Sequence, residues 1–428
     1  MSLGAVFAAF ACHAVACNAL TGASDLAVCE GATCASEPGA LPDGGPNGDG
    51  SVSDGSTLPA ACVDGQKACE GRTAARCVGT SWSRTPCAEA CVDGACLAWP
   101  SCRNAAGAGC AATRSCCETA PVPAGTFNRR SSPQTPATVS AFSLDSFEVT
   151  VGRFRSFVAA GGGTKLSPPP AGAGAHPKIA GSGWQTGWIS LLPETTEALT
   201  TLLATGTWTP SAGAAEHKPI SSVPWLVAFA FCAADGARLP TYAEWNYAAA
   251  GGSEQRVYPW SSPPTSTTVS TANAAYQCAF ALPAQSCPPS VCSAGGASPC
   301  VATQCLIAGG TCTSSPCTGC EVSVDVAPVG SFASGLGRFG HFDLGGNVAE
   351  HVLDALDRKT NKDDLPNPCV DCASLLPPPP VVGGAGEAAT FVLGGDWNTL
   401  SPSLRTDDFT TVRITAQTSR IGFRCARD

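Results

Sequence analysis

The sequence is poor in charge and has no cluster of basic residues. Charged residues make up 13% of the 428 residues, and the formal net charge is −9. A nucleic-acid-binding surface needs a basic patch, as does electrostatic attraction to an anionic membrane. We therefore expect neither to be the main partner. No apolar run reaches the roughly 18 residues that a membrane-spanning helix requires. If the protein is attached to a membrane, we expect the attachment to be an N-terminal lipid anchor.

Cysteine, by contrast, is abundant. The chain has 26 cysteines, together with 47 glycines and 35 prolines. A reducing cytosol would leave most of these cysteines as free thiols, so the composition predicts an extracytoplasmic protein held by disulfides. The length predicts a few domains.

The first residues are typical of an export signal. Residues 1–17 read MSLGAVFAAFACHAVAC, an apolar and small-residue stretch too short to span a membrane. The end of this stretch resembles a bacterial lipobox, in which Cys17 would be acylated and become the new N-terminus. A plain secretion signal cut near Ala16 is the alternative. We expect a cell-surface or periplasmic lipoprotein, or a secreted protein.

Composition divides the rest of the chain into three parts. Residues 18–61 are rich in Gly, Pro, Ser and Asp and predict a flexible linker. Residues 62–117 contain ten cysteines and little else to form a core, so we predict a small disulfide module rather than a zinc site. Its connectivity is left open, except that adjacent Cys116 and Cys117 should have different partners. Residues 118–428 predict one large domain, with a cysteine-rich insertion at 278–320.

Three helices are predicted within the large domain. Thr150 is a suitable N-cap for a short amphipathic helix that ends at the glycines of 161–163. An apolar helix follows at 225–234. Thr241 and Glu244 have the spacing of a capping box for a third helix, which ends at Gly251.

Eight motifs in this region occur together in one known family. They are VPAGTF at 122–127, FEVT at 147–150, KPISSVPW at 218–225, RLPTYAEWNYAA at 238–249, VGSF at 329–332, DLGGNVAE at 343–350, GGDW at 394–397 and IGFRC at 421–425. In this order they resemble the sulfatase-modifying-factor family, whose named member is the formylglycine-generating enzyme. The resemblance covers roughly residues 120–428. It implies an α+β fold related to C-type lectins, with much irregular structure, and a disulfide between Cys232 and Cys425.

The resemblance also identifies where this sequence departs from the family's chemistry. The formylglycine-generating enzyme oxidises a substrate cysteine with copper(I), which two cysteine thiolates hold just after the GGS motif. Those positions are Thr399 and Leu404 here, so copper is not expected. The CxxC formed by Cys369 and Cys372 is interpreted as a structural disulfide, with a redox-active or metal-binding pair as the alternative.

The resemblance favours calcium as a cofactor. Family members hold calcium near the GNVwE motif, which implies Asn347, Glu350 and the backbone carbonyl of Val348 as ligands.

Two classes of function follow. The missing thiolates favour a noncatalytic module that binds a peptide or glycan. The alternative is an oxidoreductase or other enzyme with altered chemistry. Its candidate residues lie near the former copper position and form a possible cleft: Asp396, Trp397, Arg405, Asp407 and the adjacent Asp408.

Overall fold

The computed structural model describes most of the chain after the predicted linker. The described residues are 58–70, 73–87, 90–92, 94–97, 99–102, 109–111, 114–277, 280, 306–307, 310–311, 326–356, 365–376 and 388–428. The predicted signal with Cys17, nearly all of the linker and most of the 278–320 insertion lie outside them. Among the described residues, no helix combines the length and apolar character that crossing a bilayer requires.

The described elements are short, as expected for an α+β domain with much irregular backbone. The strands are β1 Lys67–Glu70, β2 Thr73–Val78, β3 Ser81–Pro86, β4 Ala90–Val92, β5 Ala95–Leu97, β6 Thr119–Val122, β7 Gly125–Asn128, β8 Pro136–Val139, β9 Phe142–Asp145, β10 Leu306–Ile307, β11 Gly310–Thr311, β12 Ala349–Leu356, β13 Cys369–Val370, β14 Ala389–Leu393, β15 Phe409–Arg413, β16 Ile421–Gly422 and β17 Ala426–Arg427. The α-helices are α1 Val151–Ala159, α2 Thr196–Leu203, α3 Trp225–Ala234 and α4 Tyr242–Ala249. Short 3-10 helices cover Pro100–Cys102, Arg129–Ser131, Thr186–Leu191, Gly252–Glu254, Ala333–Gly335 and Ser401–Leu404.

In the described part of the large domain, three small sheets surround the helices, and a two-stranded sheet β10-β11 lies in the insertion. The strand orders of the three sheets are β15-β14-β12-β16, β13-β8-β7 and β17-β9-β6. Strand β12 is buried along its whole length, because helices α3 and α4 both contact it. One apolar cluster joins α1 and α3 to a group of tryptophans, and a second joins α4 to strands β6–β9, β12 and β14. The expected α+β class is therefore confirmed.

The predicted helix signals are confirmed. The Thr150 side chain accepts a hydrogen bond from the Arg153 amide at the start of α1. The Thr241–Glu244 capping box is complete at the start of α4. Gly251 has a φ of 66°, a left-handed conformation that glycine adopts without strain, just after this helix ends.

Disulfides replace a core in the N-terminal module. Cys69–Cys91 and Cys87–Cys96 join sheet β1-β2-β3 to sheet β4-β5, and Cys62–Cys77 ties the segment before β1 to β2. Cys102–Cys117 and Cys110–Cys116 pair the remaining four cysteines, so the two adjacent cysteines do have different partners. Every cysteine of the 62–117 module is thus disulfide-bonded.

A short segment connects this module firmly to the large domain. The Ser101 amide donates to Asp235 at 2.8 Å, and the Ser101 hydroxyl accepts from Arg153 at 3.1 Å. The Trp99 ring lies over the Arg427 guanidinium, 4.1 Å from its centroid. Trp99 and Ser101 are both buried. The segment therefore covers a buried network of ion pairs and contributes hydrogen bonds to it. In this network Arg153 and Arg427 both contact Asp145 and Asp235.

Candidate functional site

The candidate site is built on the turn that follows β14. Gly394 and Gly395 have φ values of 90° and 67°, the left-handed region. A Cβ at Gly395 would lie 2.7 Å from the Ser403 carbonyl oxygen, so only glycine fits there. The two glycines therefore allow the start of the turn to pack directly against its end, at residues 403–404.

Hydrogen bonds close this turn around Asp396 and Thr399. The Asp396 amide donates to the Thr399 hydroxyl oxygen at 3.0 Å, and that hydroxyl donates to the Asp396 carbonyl at 2.9 Å. One Asp396 carboxylate oxygen accepts from the Asn398 amide at 2.9 Å, and the other lies 3.9 Å from the Arg420 guanidinium. Burial raises the pKa of Asp396. Both side chains thus form hydrogen bonds that stabilise the turn.

Leu404 is fully buried. It packs in an apolar cluster with Tyr258, Ala274 and Tyr276. Its position in the chain corresponds to a family copper ligand, but its side chain serves as packing here.

Arg405 and Asp407 form a separate, more open group. Two parallel hydrogen bonds of 2.8 Å join the guanidinium to the carboxylate. The side chains are 37% and 20% exposed. Among the described residues, no hydrogen bond or ion pair connects this group to Asp396. Asp396 and the Arg405–Asp407 pair, predicted to share one cleft, thus have different partners.

Trp397 belongs to neither group. Its ring is buried in a cluster with Phe332 and Val348, and its amide donates to the Asn347 carbonyl oxygen at 2.9 Å. The turn is thereby attached to the GNVwE segment.

Glu350, an expected calcium ligand, is occupied by protein groups. Both carboxylate oxygens accept from Arg424 at 2.6–2.9 Å, and one accepts from the Trp245 indole at 2.8 Å. A cation at this carboxylate would have to displace a buried guanidinium. The structure therefore presents Glu350 as one half of an ion pair.

Asn347 is likewise engaged. Its side-chain oxygen accepts from the Ala327 amide at 3.0 Å, and its side-chain nitrogen donates to Glu148 at 2.8 Å. The Val348 amide donates to the other Glu148 oxygen at 3.2 Å. In this arrangement the side-chain oxygens of Asn347 and Glu350 are occupied by protein donors and do not fit a calcium coordination shell. Calcium binding here stays a prediction.

The same region contains a buried acidic cluster that the sequence did not reveal. Burial, and then the charges of Asp343 and Glu350, raise the pKa of Glu148 well above its usual value. Burial raises the pKa of Asp343 to about 6. Arg424 is the buried cation that faces these three carboxylates. The signal was present, because all four residues lie inside the quoted motifs.

Two other groups of metal-ligating side chains lie close together. In the first, His217 approaches Cys116, which is bonded to Cys110. In the second, His176, Glu244 and Asp428 meet around the Arg238 guanidinium, which donates to both carboxylates. A disulfide in one and a central cation in the other oppose metal binding.

The cysteines nearest in sequence to the former copper position are all paired. Cys232 bonds Cys425, which confirms the expected disulfide, and Cys369 bonds Cys372. A disulfide sulfur is not a thiolate ligand. The described residues therefore offer no thiolate pair at this place.

Comparisons with known proteins agree with the motifs. The family profile described as "Sulfatase-modifying factor enzyme 1-like domain" matches residues 106–293 and 318–428. The chain is 29% identical over 164 residues to the mouse formylglycine-generating enzyme, a match that covers 33% of this chain and 41% of that one. It is 52% identical over 42 residues to the cattle protein named inactive C-alpha-formylglycine-generating enzyme 2, covering 10% of this chain and 14% of that one. The chain thus spans less than half the length of these curated relatives.

Solved structures match more distantly. PvdO from Pseudomonas aeruginosa aligns with a TM-score of 0.40 and 17% identity, over 72% of this chain and 94% of that one. The Treponema denticola variable protein 1 aligns with a TM-score of 0.36 and 15% identity, over the same shares. Scores of this size carry no argument about function.

Proposed function

Because this chain belongs to the sulfatase-modifying factor family, we propose that its large domain is a noncatalytic module that binds a peptide or a glycan. The observation that carries the proposal is the closed turn at 394–404. Both positions where the family holds copper(I) have structural roles instead: Thr399 closes the turn, and Leu404 fills the apolar cluster beneath it.

Copper(I) does not fit the residues present. It prefers soft thiolate or thioether ligands. A threonine hydroxyl that is already hydrogen-bonded on both sides is a hard, neutral donor, and a leucine side chain has no donor atom. The described residues around this turn therefore lack the ligands by which the family's metal would activate oxygen.

The relatives support this division between fold and activity. A formylglycine-generating enzyme and a protein named as inactive both match the chain. The family fold is therefore compatible with loss of the reaction, and a fold alone does not determine function.

The Arg405–Asp407 pair is the part of the site best placed to contact a ligand. Both side chains are partly exposed, next to the loop that lost the copper ligands. The Thr406 amide, between the two charged residues, donates to the Val257 carbonyl at 2.9 Å, which brings Tyr258 close to the pair. A bidentate charged pair beside aromatic rings suits the hydrogen-bonding groups of a peptide or sugar.

The first test measures the family reaction on the whole chain. The protein is given copper(I), oxygen, a reductant and a peptide of the CxPxR type, and the peptide is weighed by mass spectrometry, with the mouse enzyme as positive control. We expect no conversion of thiol to aldehyde and no copper retained after gel filtration. Aldehyde formation by this chain would overturn the proposal.

The second part of the test asks whether the domain binds a ligand. The protein is screened on peptide and glycan arrays, and each hit is measured again with Arg405→Ala. We expect an affinity loss of about 10-fold or more, since one good charge-assisted contact contributes about 1.5–3 kcal/mol. Arg84→Ala, in an exposed ion pair of the N-terminal module, is the matched control. Equal binding by Arg405→Ala and the control would place the ligand elsewhere.

We also propose that the protein is exported and anchored through Cys17. The disulfides of the described residues support an oxidising compartment. Cells grown with a labelled fatty acid should yield labelled protein, and Cys17→Ala should abolish the label. Export of unlabelled wild-type protein would favour plain secretion.

A further inference from the structure

Strand β15, Phe409–Arg413, lies at the edge of the β15-β14-β12-β16 sheet. It pairs with β14 on one side, and its residues are exposed or half-buried along the whole strand. In the part of the chain that the structure describes, no strand pairs with its other side. An uncovered edge of this kind is a template for a further strand.

The register of β15 shows which of its backbone groups point outward. The Ile414 amide donates to the Ala388 carbonyl at 3.1 Å, so these two residues form a hydrogen-bonded pair of the antiparallel ladder. Such pairs alternate with pairs that share no hydrogen bond. Counted back along the strand, Thr411 and Phe409 belong to the second kind. Their N–H and C=O groups therefore point away from β14, and no group among the described residues is hydrogen-bonded to them.

Charge makes a second copy of β15 a suitable partner for this edge. Asp407 and Asp408 lie just before the strand, and the exposed Arg413 is its last residue. In an antiparallel pair, the start of each strand lies beside the end of the other. Two antiparallel copies of β15 therefore bring acidic and basic side chains together at both ends, whereas a parallel pair would place like charges side by side.

One register pairs all of these outward groups. With a two-fold axis at Thr410, Phe409 of each copy lies opposite Thr411 of the other, so each outward N–H meets an outward C=O. The Phe409 ring, which is 36% exposed, is covered further by the opposite Thr411. In the same register Asp407 of each copy lies beside Arg413 of the other, and opposite charges in such a cross-strand position attract.

We propose that the protein forms a symmetric dimer through antiparallel pairing of two β15 strands. The four-stranded sheets of the two copies become one continuous sheet. Because Asp407 belongs to the proposed ligand site, each copy supplies its Arg413 to the site of the other. The dimer depends on the strand edge and its charges and not on ligand binding, so it is tested without a ligand.

The first test measures the mass of the whole chain by sedimentation. The chain contains Cys17→Ala, so that no lipid can associate the molecules. We expect monomers at about 1 µM and dimers at about 100 µM, since an interface this small is weak. Thr411→Pro removes the outward amide, which an edge strand tolerates, and should weaken the dimer about 10-fold or more. Thr411→Ala keeps the amide and is the matched control. A wild type that stays monomeric at the higher concentration, or equal dimerisation by the two variants, would overturn the proposal.

A second test exchanges the charges and leaves the backbone intact. In a dimer of Arg413→Glu, or in one of Asp407→Lys, like charges face each other, so each variant alone should dimerise about fivefold or more less tightly. An equimolar mixture of the two should form a heterodimer of about wild-type affinity, because both cross-strand pairs again have opposite charges. Glu197→Lys, at an exposed position of α2, is the control for net charge and should dimerise as the wild type does. A mixture that associates no more tightly than the separate variants would contradict pairing through β15.

Discussion

Replacing Arg424 with methionine should lower the free energy of unfolding by about 3–5 kcal/mol, because it leaves buried carboxylates without their cation. Arg424 donates to Glu350 at 2.6–2.9 Å and to the carbonyls of Asp145 and Phe342. Glu148 and Asp343 lie in the same buried cluster. Methionine fills much of the volume and removes the charge, so the loss reports mainly on electrostatics.

The measurement is urea unfolding at pH 8 with disulfides intact, followed by tryptophan fluorescence. Arg405→Met, in a half-exposed ion pair, is the control and should cost at most about 1 kcal/mol. At pH 5 the Arg424→Met deficit should be smaller, because burial raises the pKa values of Glu148 and Asp343 and these two carboxylates become protonated. A deficit as small as that of the control would show that the cluster does not depend on this cation.

Asp354 should make the protein less stable as pH rises from 5 to 8. Burial raises the pKa of Asp354 to about 7 from an ordinary 3.8. A carboxyl with a raised pKa contributes stability that is full below its unfolded pKa and is lost as pH rises through its folded pKa. At about 1.4 kcal/mol for each pH unit, the whole shift corresponds to about 4 kcal/mol, of which about 2.5–3 kcal/mol is lost between pH 5 and pH 8.

The experiment compares unfolding free energies at pH 5 and pH 8 for the wild type and Asp354→Asn. Asparagine is always neutral, so we expect the variant to lose much less stability than the wild type between pH 5 and pH 8. The variant should also be less stable by a constant amount at every pH, because its side chain has one acceptor oxygen for the two amides, of Tyr242 and Ser374, that donate to Asp354. Asp371→Asn is the control. Although burial opposes it, the hydrogen bonds from Ser140 and Lys178 lower the pKa of Asp371, so its titration lies below this window. An unchanged pH dependence in Asp354→Asn would refute the assignment.

The sequence predicted local structure and family membership well, because both depend on nearby residues. The Thr150 cap, the Thr241–Glu244 capping box and the 225–234 helix were each encoded within a few positions. The Cys232–Cys425 pair, 193 residues apart, was accessible only through the resemblance.

The site was predicted less completely, because its contacts join distant parts of the chain. Glu148 and Asn347 meet across 199 residues, and Arg424 and Glu350 across 74. Motif letters identified these residues without indicating that they bind one another. Asp396 and Arg405 were grouped because they are close in sequence, yet a glycine-initiated turn gives them different partners.

The segment at residues 99–102 also determines how the molecule would carry a mechanical load. A pull on the N-terminal module would reach the large domain through the Cys102–Cys117 bond, two residues before strand β6. Strand β6 pairs with β9, and β9 pairs with β17 beside Cys425, which is bonded to α3. Force would therefore be transmitted from one disulfide, through the β6-β9-β17 sheet, to the other disulfide. The turn at 394–404 is not part of this path.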